Sequence, residues 1–243
     1  MKGGKMKIKG REISFRKLIS KFSREEIGLL LIALLIIASV WIFIEIADEV
    51  LEGETQRFDE MVVKAFRDPN NLASPKGPEF MRAIVRDITA LGGATLLPII
   101  LLIVFGFLIL QRNYSSILMI VSANIGGFLL VTILKFRFSR DRPDIVPQLM
   151  TETTPSFPSG HSMMSTVAYL TLAVLLAINF SEKKIRVYII AVAFIISVLI
   201  GISRIYLGVH YPTDVLAGWA VGLAWASLCG FVARFIHYIK KRN

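Results

Sequence analysis

Apolar residues run along this chain in blocks, with no helical or strand period through mixed sequence. An α-helix rises about 1.5 Å per residue, so crossing roughly 30 Å of hydrocarbon takes about 20 mostly apolar residues. Six blocks meet that length: 27–46, 94–111, 115–134, 162–180, 187–205 and 215–236. The pattern predicts an all-α, polytopic membrane protein with six transmembrane helices in one helical bundle. Ser23-Arg-Glu-Glu26 is a capping-box pattern and predicts a helix start just before the first block. A cleaved signal peptide is not expected, because 26 residues precede the block and the block is longer than a signal h-region. Between the first two blocks, residues 48–90 carry nine acidic and six basic residues. Within them 58–67 and 79–91 space apolar residues by three and four (Phe58, Met61, Val62, Ala65, Phe66), which fits either short amphipathic helices at the membrane surface or solvated loop.

Composition agrees with the blocks. Of 243 residues, 54% are hydrophobic and 19% charged, where a soluble domain carries about 25% charged. A soluble single-core enzyme and a disordered chain are therefore poor readings. The single cysteine, Cys229, excludes an internal disulfide framework. The formal charge of +10 would raise nucleic acid as a partner in a soluble protein. Here it follows more simply from cytoplasmic loops that collect Lys and Arg, and no nucleic-acid partner is expected. Nine basic residues fall within 1–26, which puts the N-terminus in the cytoplasm. Alternation then puts 17 of the 28 Lys and Arg inside and 11 outside, with both termini inside. One loop disagrees: 135–161 falls outside yet opens with Lys135, Arg137, Arg140 and Arg142. A cationic cluster against the orientation bias asks for a functional cause.

Three short segments share the outer side of this topology: Lys135-Phe-Arg-Phe-Ser-Arg-Asp-Arg142-Pro143, Pro158-Ser159-Gly160-His161, and Ser203-Arg204 followed by His210-Tyr-Pro-Thr-Asp214. The first offers a guanidinium fork and an ammonium, Arg142 and Lys135, suited to a phosphoryl group. Arg137 and Arg140 fit better as interfacial anchors for anionic headgroups. In the second, Ser159 is placed to cap the fourth span and Gly160 lets the backbone approach a ligand, so that free N–H groups face an anion beside His161. In the third, Pro212 suits the first position of the sixth helix. Asp214 then lies about one turn from His210, within reach of an imidazole nitrogen, leaving the other nitrogen free to attack. His161, His210 and Asp214 are legal metal ligands, but Lys135, Arg142 and Arg204 would repel a divalent cation. Neither metal nor cofactor is expected. Of the three histidines, His237 stands in the basic tail and is assigned no role.

In order and spacing these segments resemble the signature of the type 2 phosphatidic acid phosphatase (PAP2) superfamily, Lys-x6-Arg-Pro, Pro-Ser-Gly-His and Ser-Arg-x5-His-x3-Asp, without departure. The match covers residues 135–214, and the six blocks are similar to the integral-membrane lipid phosphatase branch; a soluble haloperoxidase of the same superfamily would not carry them. The resemblance implies that His210 attacks phosphorus to form a phosphohistidine, that Asp214 orients it, and that His161 is the general acid and then activates water. It implies a phosphate cradle of Lys135, Arg142, Ser159, Gly160 and Arg204. The implied substrate is a lipid phosphomonoester or pyrophosphate, such as phosphatidate, phosphatidylglycerophosphate, undecaprenyl pyrophosphate or the 1-phosphate of lipid A, met at the outer face of the plasma membrane. No residue discriminates among these, and oligomeric state stays open. The chain then divides into a basic cytoplasmic segment (1–26), a membrane phosphatase domain (27–239, including the extracytoplasmic 48–90 segment) and a cytoplasmic tail (240–243). A lipid phosphotransferase with the same intermediate, or a non-enzymatic lipid-binding or transport protein, would be the competing readings.

Overall fold

In a computed structural model of the chain, residues 5–8, 11–14 and 23–242 are described. Most of the basic 1–26 segment, and with it the charge argument for orientation, lies outside the described residues, as do the side chains of His237, Lys241 and Arg242. Two short strands, β1 (Lys5–Ile8) and β2 (Arg11–Ser14), pair antiparallel. The first long helix, α1 (Arg24–Glu52), starts on the capping box: the Glu26 N–H donates to Ser23 Oγ at 3.2 Å, and the Ser23 N–H donates to Glu26 Oε2 at 2.8 Å. Gly53, at φ 78°, ends it.

After α1 come α2 (Gln56–Ala65), a small hairpin of β3 (Arg67–Asp68) and β4 (Asn71–Pro75), and α3 (Glu79–Ala90). They are followed by α4 (Leu96–Leu110), α5 (Tyr114–Phe138), α6 (Gly160–Ala177), α7 (Lys183–Tyr206) and α8 (Pro212–Arg242). Five helices, α1 and α5 to α8, are long and apolar enough to cross a membrane. The sixth, α4, has 15 residues, a rise of about 22 Å, and is shorter than its sequence block because Gly92 to Thr95 form the turn that leads into it. The amphipathic alternative for 48–90 is the observed one, with a change of face. Phe58, Met61 and Ala65 are exposed, whereas Asp59 and Val63 are the buried flank of α2. Val63 joins Val146, Ile205, Tyr211 and Val215, so α2 leans on the bundle with an acid on its buried side.

The exposed apolar side chains of α1, α4 and α5 are mostly Leu, Ile and Phe, which a bilayer tolerates as it would a core. The enclosed helix is α6, bordered by α5, α7 and α8. Where no apolar driving force separates helix from lipid, close approach of small residues holds the helices together. Gly218 and Gly222 on α8 supply it. A Cβ at 218 would lie 2.7 Å from the Ser159 carbonyl oxygen, and one at 222 would lie 2.8 Å from that of Met163. Indole N–H groups tie α8 to its other neighbours, Trp219 Nε1 donating to Ser197 O of α7 at 3.1 Å and Trp225 Nε1 to Ala123 O of α5 at 2.8 Å.

Because Ser159 caps α6 and Asp214 opens α8, this crossing sets the spacing of the site. Gly218→Ala is expected to force the helices apart, with a stability loss of about 1–3 kcal/mol and at least a tenfold fall in kcat. Gly230→Ala, where a Cβ meets nothing within 4 Å, is the control and leaves both unchanged. Thermal unfolding in detergent and turnover of the two variants check this; equal behaviour would refute the close-packing account.

Candidate active site

The three segments meet at one end of the bundle. Ser139, in left-handed conformation at φ 45°, ends α5 and turns the chain into the loop 139–159. That loop is tied back on itself, since the Ser156 N–H donates to Arg140 O at 2.9 Å and Ser156 Oγ to Asp141 O at 2.8 Å. Phe157, fully buried, stacks among Phe43 and Phe138, with a Phe138 ring centroid 4.9 Å away. This aromatic seat delivers Pro158 and Ser159 to the start of α6. Ser159 then caps the helix, accepting from the Ser162 N–H at 3.4 Å and from Ser162 Oγ at 2.9 Å, while its own N–H donates to Asp214 O at 2.9 Å. A Cβ built on Gly160 would meet only Lys135 Cε, at 3.6 Å. The first turn of α6 is thus open beside a cation.

His210 lies in the short turn between α7 and α8 and is 1% exposed. Its Nδ1 is 3.3 Å from Asp214 Oδ2, which also accepts the Tyr211 N–H at 2.9 Å. An ionised carboxylate can only accept, so Nδ1 carries the proton and Nε2 keeps its lone pair. That Nε2 is 3.4 Å from Arg142 Nη1. Burial first, and then Arg204, Arg142 and Lys135, hold the His210 imidazole well below its ordinary range, so it is neutral at neutral pH.

The cations around it are fixed by the loop. Arg142 donates to Thr154 O at 2.8 Å and to Val209 O at 2.7 Å. Lys135 Nζ donates to Pro155 O. Arg204, fully buried, donates to Thr89 Oγ1 at 3.2 Å and pairs with Glu152, whose second oxygen is 3.7 Å from Arg142 Nη2. Burial would raise the Glu152 carboxyl, but Arg204 and Arg142 outweigh it and hold it low. His161, on the first turn of α6, is within electrostatic range of His210 and of the same cations. Every residue singled out in the sequence as catalytic or phosphate-binding, His210, His161, Asp214, Lys135, Arg142, Ser159, Gly160 and Arg204, therefore belongs to one cluster.

One expectation needs correcting. Arg137 is exposed, as an interfacial anchor would be, but Arg140 turns inward. Its Nη1 donates to Asp214 Oδ1 at 2.7 Å and to Thr213 Oγ1 at 2.9 Å, and its Nη2 to Asp59 Oδ2 at 2.8 Å. Two fully buried carboxylates leave it no reason to face headgroups, and its guanidinium also lies 4.5 Å from the centre of the Tyr211 ring. Asp59, Thr213 and Glu152 were not singled out either. The one signal for Asp59 was an acid four residues before Val63 on the flank of an amphipathic stripe.

This arrangement supports attack on phosphorus: a neutral imidazole with an orienting carboxylate, three cations, and a helix N-terminus beside them. Comparison with known proteins agrees. The sequence pattern of the PAP2 superfamily matches residues 114–238. Phosphatidylglycerophosphatase B of Bacillus subtilis is 37% identical over 188 residues, 74% of this chain and 86% of that protein. An undecaprenyl-diphosphatase of Sulfolobus acidocaldarius is 29% identical over 130 residues, 52% of this chain and 55% of its own length. Among solved structures, the transmembrane PAP2-type phosphatidylglycerolphosphate phosphatase of Bacillus subtilis superposes with a TM-score of 0.72 at 30% identity, covering 80% of this chain and 94% of that one. With motif, bundle and cluster all in agreement, the chain belongs to the PAP2 superfamily and is a multi-pass membrane phosphatase acting on phosphoric monoesters.

Proposed function

We propose that this phosphatase hydrolyses the phosphomonoester of a membrane glycerophospholipid, of the phosphatidylglycerophosphate kind, through a phosphohistidine on His210 at the extracytoplasmic face. The observation that carries the reading is the His210 imidazole, held by Asp214 on Nδ1 and directed by Nε2 at the Arg142 guanidinium. The substrate class is favoured by similarity to the Bacillus phosphatidylglycerophosphatase over most of both chains, against about half for the undecaprenyl-diphosphatase. The outer location rests on the basic residues before the first span.

In this reading the phosphoryl oxygens lie among Lys135, Arg142, Arg204 and the N–H groups of the first turn of α6. Nε2 of His210 attacks phosphorus in line, and the bond to the lipid oxygen breaks as His161 gives that oxygen a proton. His161 then takes a proton from water, whose oxygen attacks the phosphohistidine. The P–N bond breaks, inorganic phosphate leaves, and His210 is restored. Charge spread over the equatorial oxygens is met by fixed cations, which is where most of the barrier reduction in phosphoryl transfer arises.

The test is phosphate release from phosphatidylglycerophosphate, phosphatidate and polyprenyl pyrophosphate in detergent, with excess EDTA and then with vanadate. Release should persist in EDTA, because the cradle's charge is its own side chains, and vanadate should inhibit by adopting the five-coordinate geometry of the transition state. Loss in chelator with rescue by a divalent ion would overturn the cradle. Label recovered in an acceptor lipid in place of inorganic phosphate would make the chain a transferase.

A further inference from the structure

The 48–90 segment lies outside the 114–238 region matched by the family pattern, yet α2 sends one carboxylate into the bundle. Asp59 is fully buried, and among the described residues its carboxylate is hydrogen-bonded to Thr213 of α8 and Arg140 of the loop. Its Oδ1 accepts the Thr213 N–H at 3.1 Å, and its Oδ2 accepts Thr213 Oγ1 at 2.6 Å and Arg140 Nη2 at 2.8 Å. Thr213 is the second residue of α8, so Asp59 acts as an N-terminal cap supplied from another helix, with the favourable sign for the helix dipole. The same Arg140 holds Asp214 Oδ1 through its other nitrogen at 2.7 Å. Oδ2 of Asp214 is left for Tyr211 N–H and His210 Nδ1.

We propose that Asp59 and Arg140 are positioning residues for the phosphatase reaction, forming with Asp214 a buried charge chain that fixes the carboxylate's orientation and sets how strongly it supports His210. This rests on the reading of His210 as the nucleophile. Arg140 alone would neutralise Asp214, and the carboxylate would then do little for the positive charge that develops on the imidazole during attack. Asp59 returns the balance: two carboxylates and one guanidinium leave a net negative charge beside Nδ1. Burial would lower the Arg140 guanidinium's proton affinity, and Asp214 and Asp59 more than reverse that, so the guanidinium stays charged. Facing His210 from the other elements are Lys135 of α5, Arg142 and Glu152 of the loop, His161 of α6 and Arg204 of α7. The Asp59–Arg140–Asp214 chain is the negative counterweight on the Nδ1 side.

The experiment is kcat, KM and the acid limb of kcat against pH for Asp59→Asn, Arg140→Gln and the double variant, with Val63→Ala as a packing control on the same face of α2. Asp59→Asn keeps the shape and loses the charge. It should lower kcat by about 10- to 100-fold, the scale on which outer partners of a catalytic group act, with KM unchanged. Its acid midpoint should move to lower pH, because less negative charge near the imidazole weakens its hold on a proton. Adding Asp59→Asn to Arg140→Gln should cost less than a further twofold, since the charge of Asp59 acts through Arg140 while the amide oxygen can still accept from Thr213. Val63→Ala should lower thermal stability without moving the midpoint. If Asp59→Asn does not accumulate folded, Arg140→Lys interrupts the chain with its charge kept and should lower kcat at constant KM. A wild-type kcat and midpoint in Asp59→Asn, or losses in the two single variants that simply multiply in the double, would overturn the chain. A wild-type protein that releases no phosphate, or releases it without His210, would instead overturn the functional reading.

Discussion

Replacing His210 with alanine is expected to remove turnover and phosphoenzyme together, with kcat falling on the order of 10⁵-fold or more, as for loss of a covalent nucleophile that works within a unit. The neighbouring groups are otherwise placed: His161 belongs to the first turn of α6, apart from the turn that holds His210, and Lys135 is engaged with the Pro155 carbonyl. Asp214 is fully buried and committed to Arg140 and the Tyr211 N–H. The loss should not reach substrate affinity, because Lys135, Arg142 and Arg204 are anchored by Pro155, Thr154 and Glu152 and do not depend on the imidazole. Trapping labelled protein from a single turnover checks the assignment, since a phosphohistidine is acid-labile and alkali-stable. Wild type should carry the label and His210→Ala should not. A labelled phosphohistidine that persists in His210→Ala would reverse the roles of the two histidines.

The residues proposed as nucleophile, orienting acid and cradle could be picked out in the sequence because much of their spacing is local. Asp214 follows His210 by one helical turn, Ser159 precedes a helix it must cap, and Lys135 and Arg142 stand on either side of the end of α5. The apolar blocks gave five spans and a shorter sixth helix for an equally local reason. What the sequence could not show was contact across the bundle. Arg140 read as an anchor because its partners, Asp59 and Asp214, lie 81 and 74 residues away in sequence. Glu152 sat in a polar loop with nothing to mark it as the partner of Arg204. The stripe on α2 predicted a helix but not which flank is covered, and the covered flank holds the acid. Periodicity reports that a side is apolar; only the neighbouring helix decides which residues at its edge are buried.

His161→Ala is expected to separate substrates by leaving group. The lipid oxygen leaves as an alkoxide, a strong base that needs a proton in the transition state, whereas an activated phenolate leaves without one. Loss of a general acid costs about 10²–10⁴-fold where that proton is needed, so kcat for the lipid phosphate should fall by that amount in the phosphoenzyme-forming step. Formation from an aryl phosphate should fall far less. In the proposed mechanism the second step needs His161 again, as base toward water, and that step is common to both substrates. An aryl phosphate given to His161→Ala should therefore produce a burst of phenol equal to the enzyme, followed by slow turnover, with phosphohistidine accumulating. The position of His161 supports this two-way role: it opens the first turn of α6, beside Ser159 and Gly160, while Nε2 of His210 faces the cradle through Arg142. Rapid-quench measurement of phenol and trapped phosphate checks it. Equal losses on both substrates with no burst would show that His161 only binds phosphate, and that the proton for the lipid oxygen comes from elsewhere in the cradle.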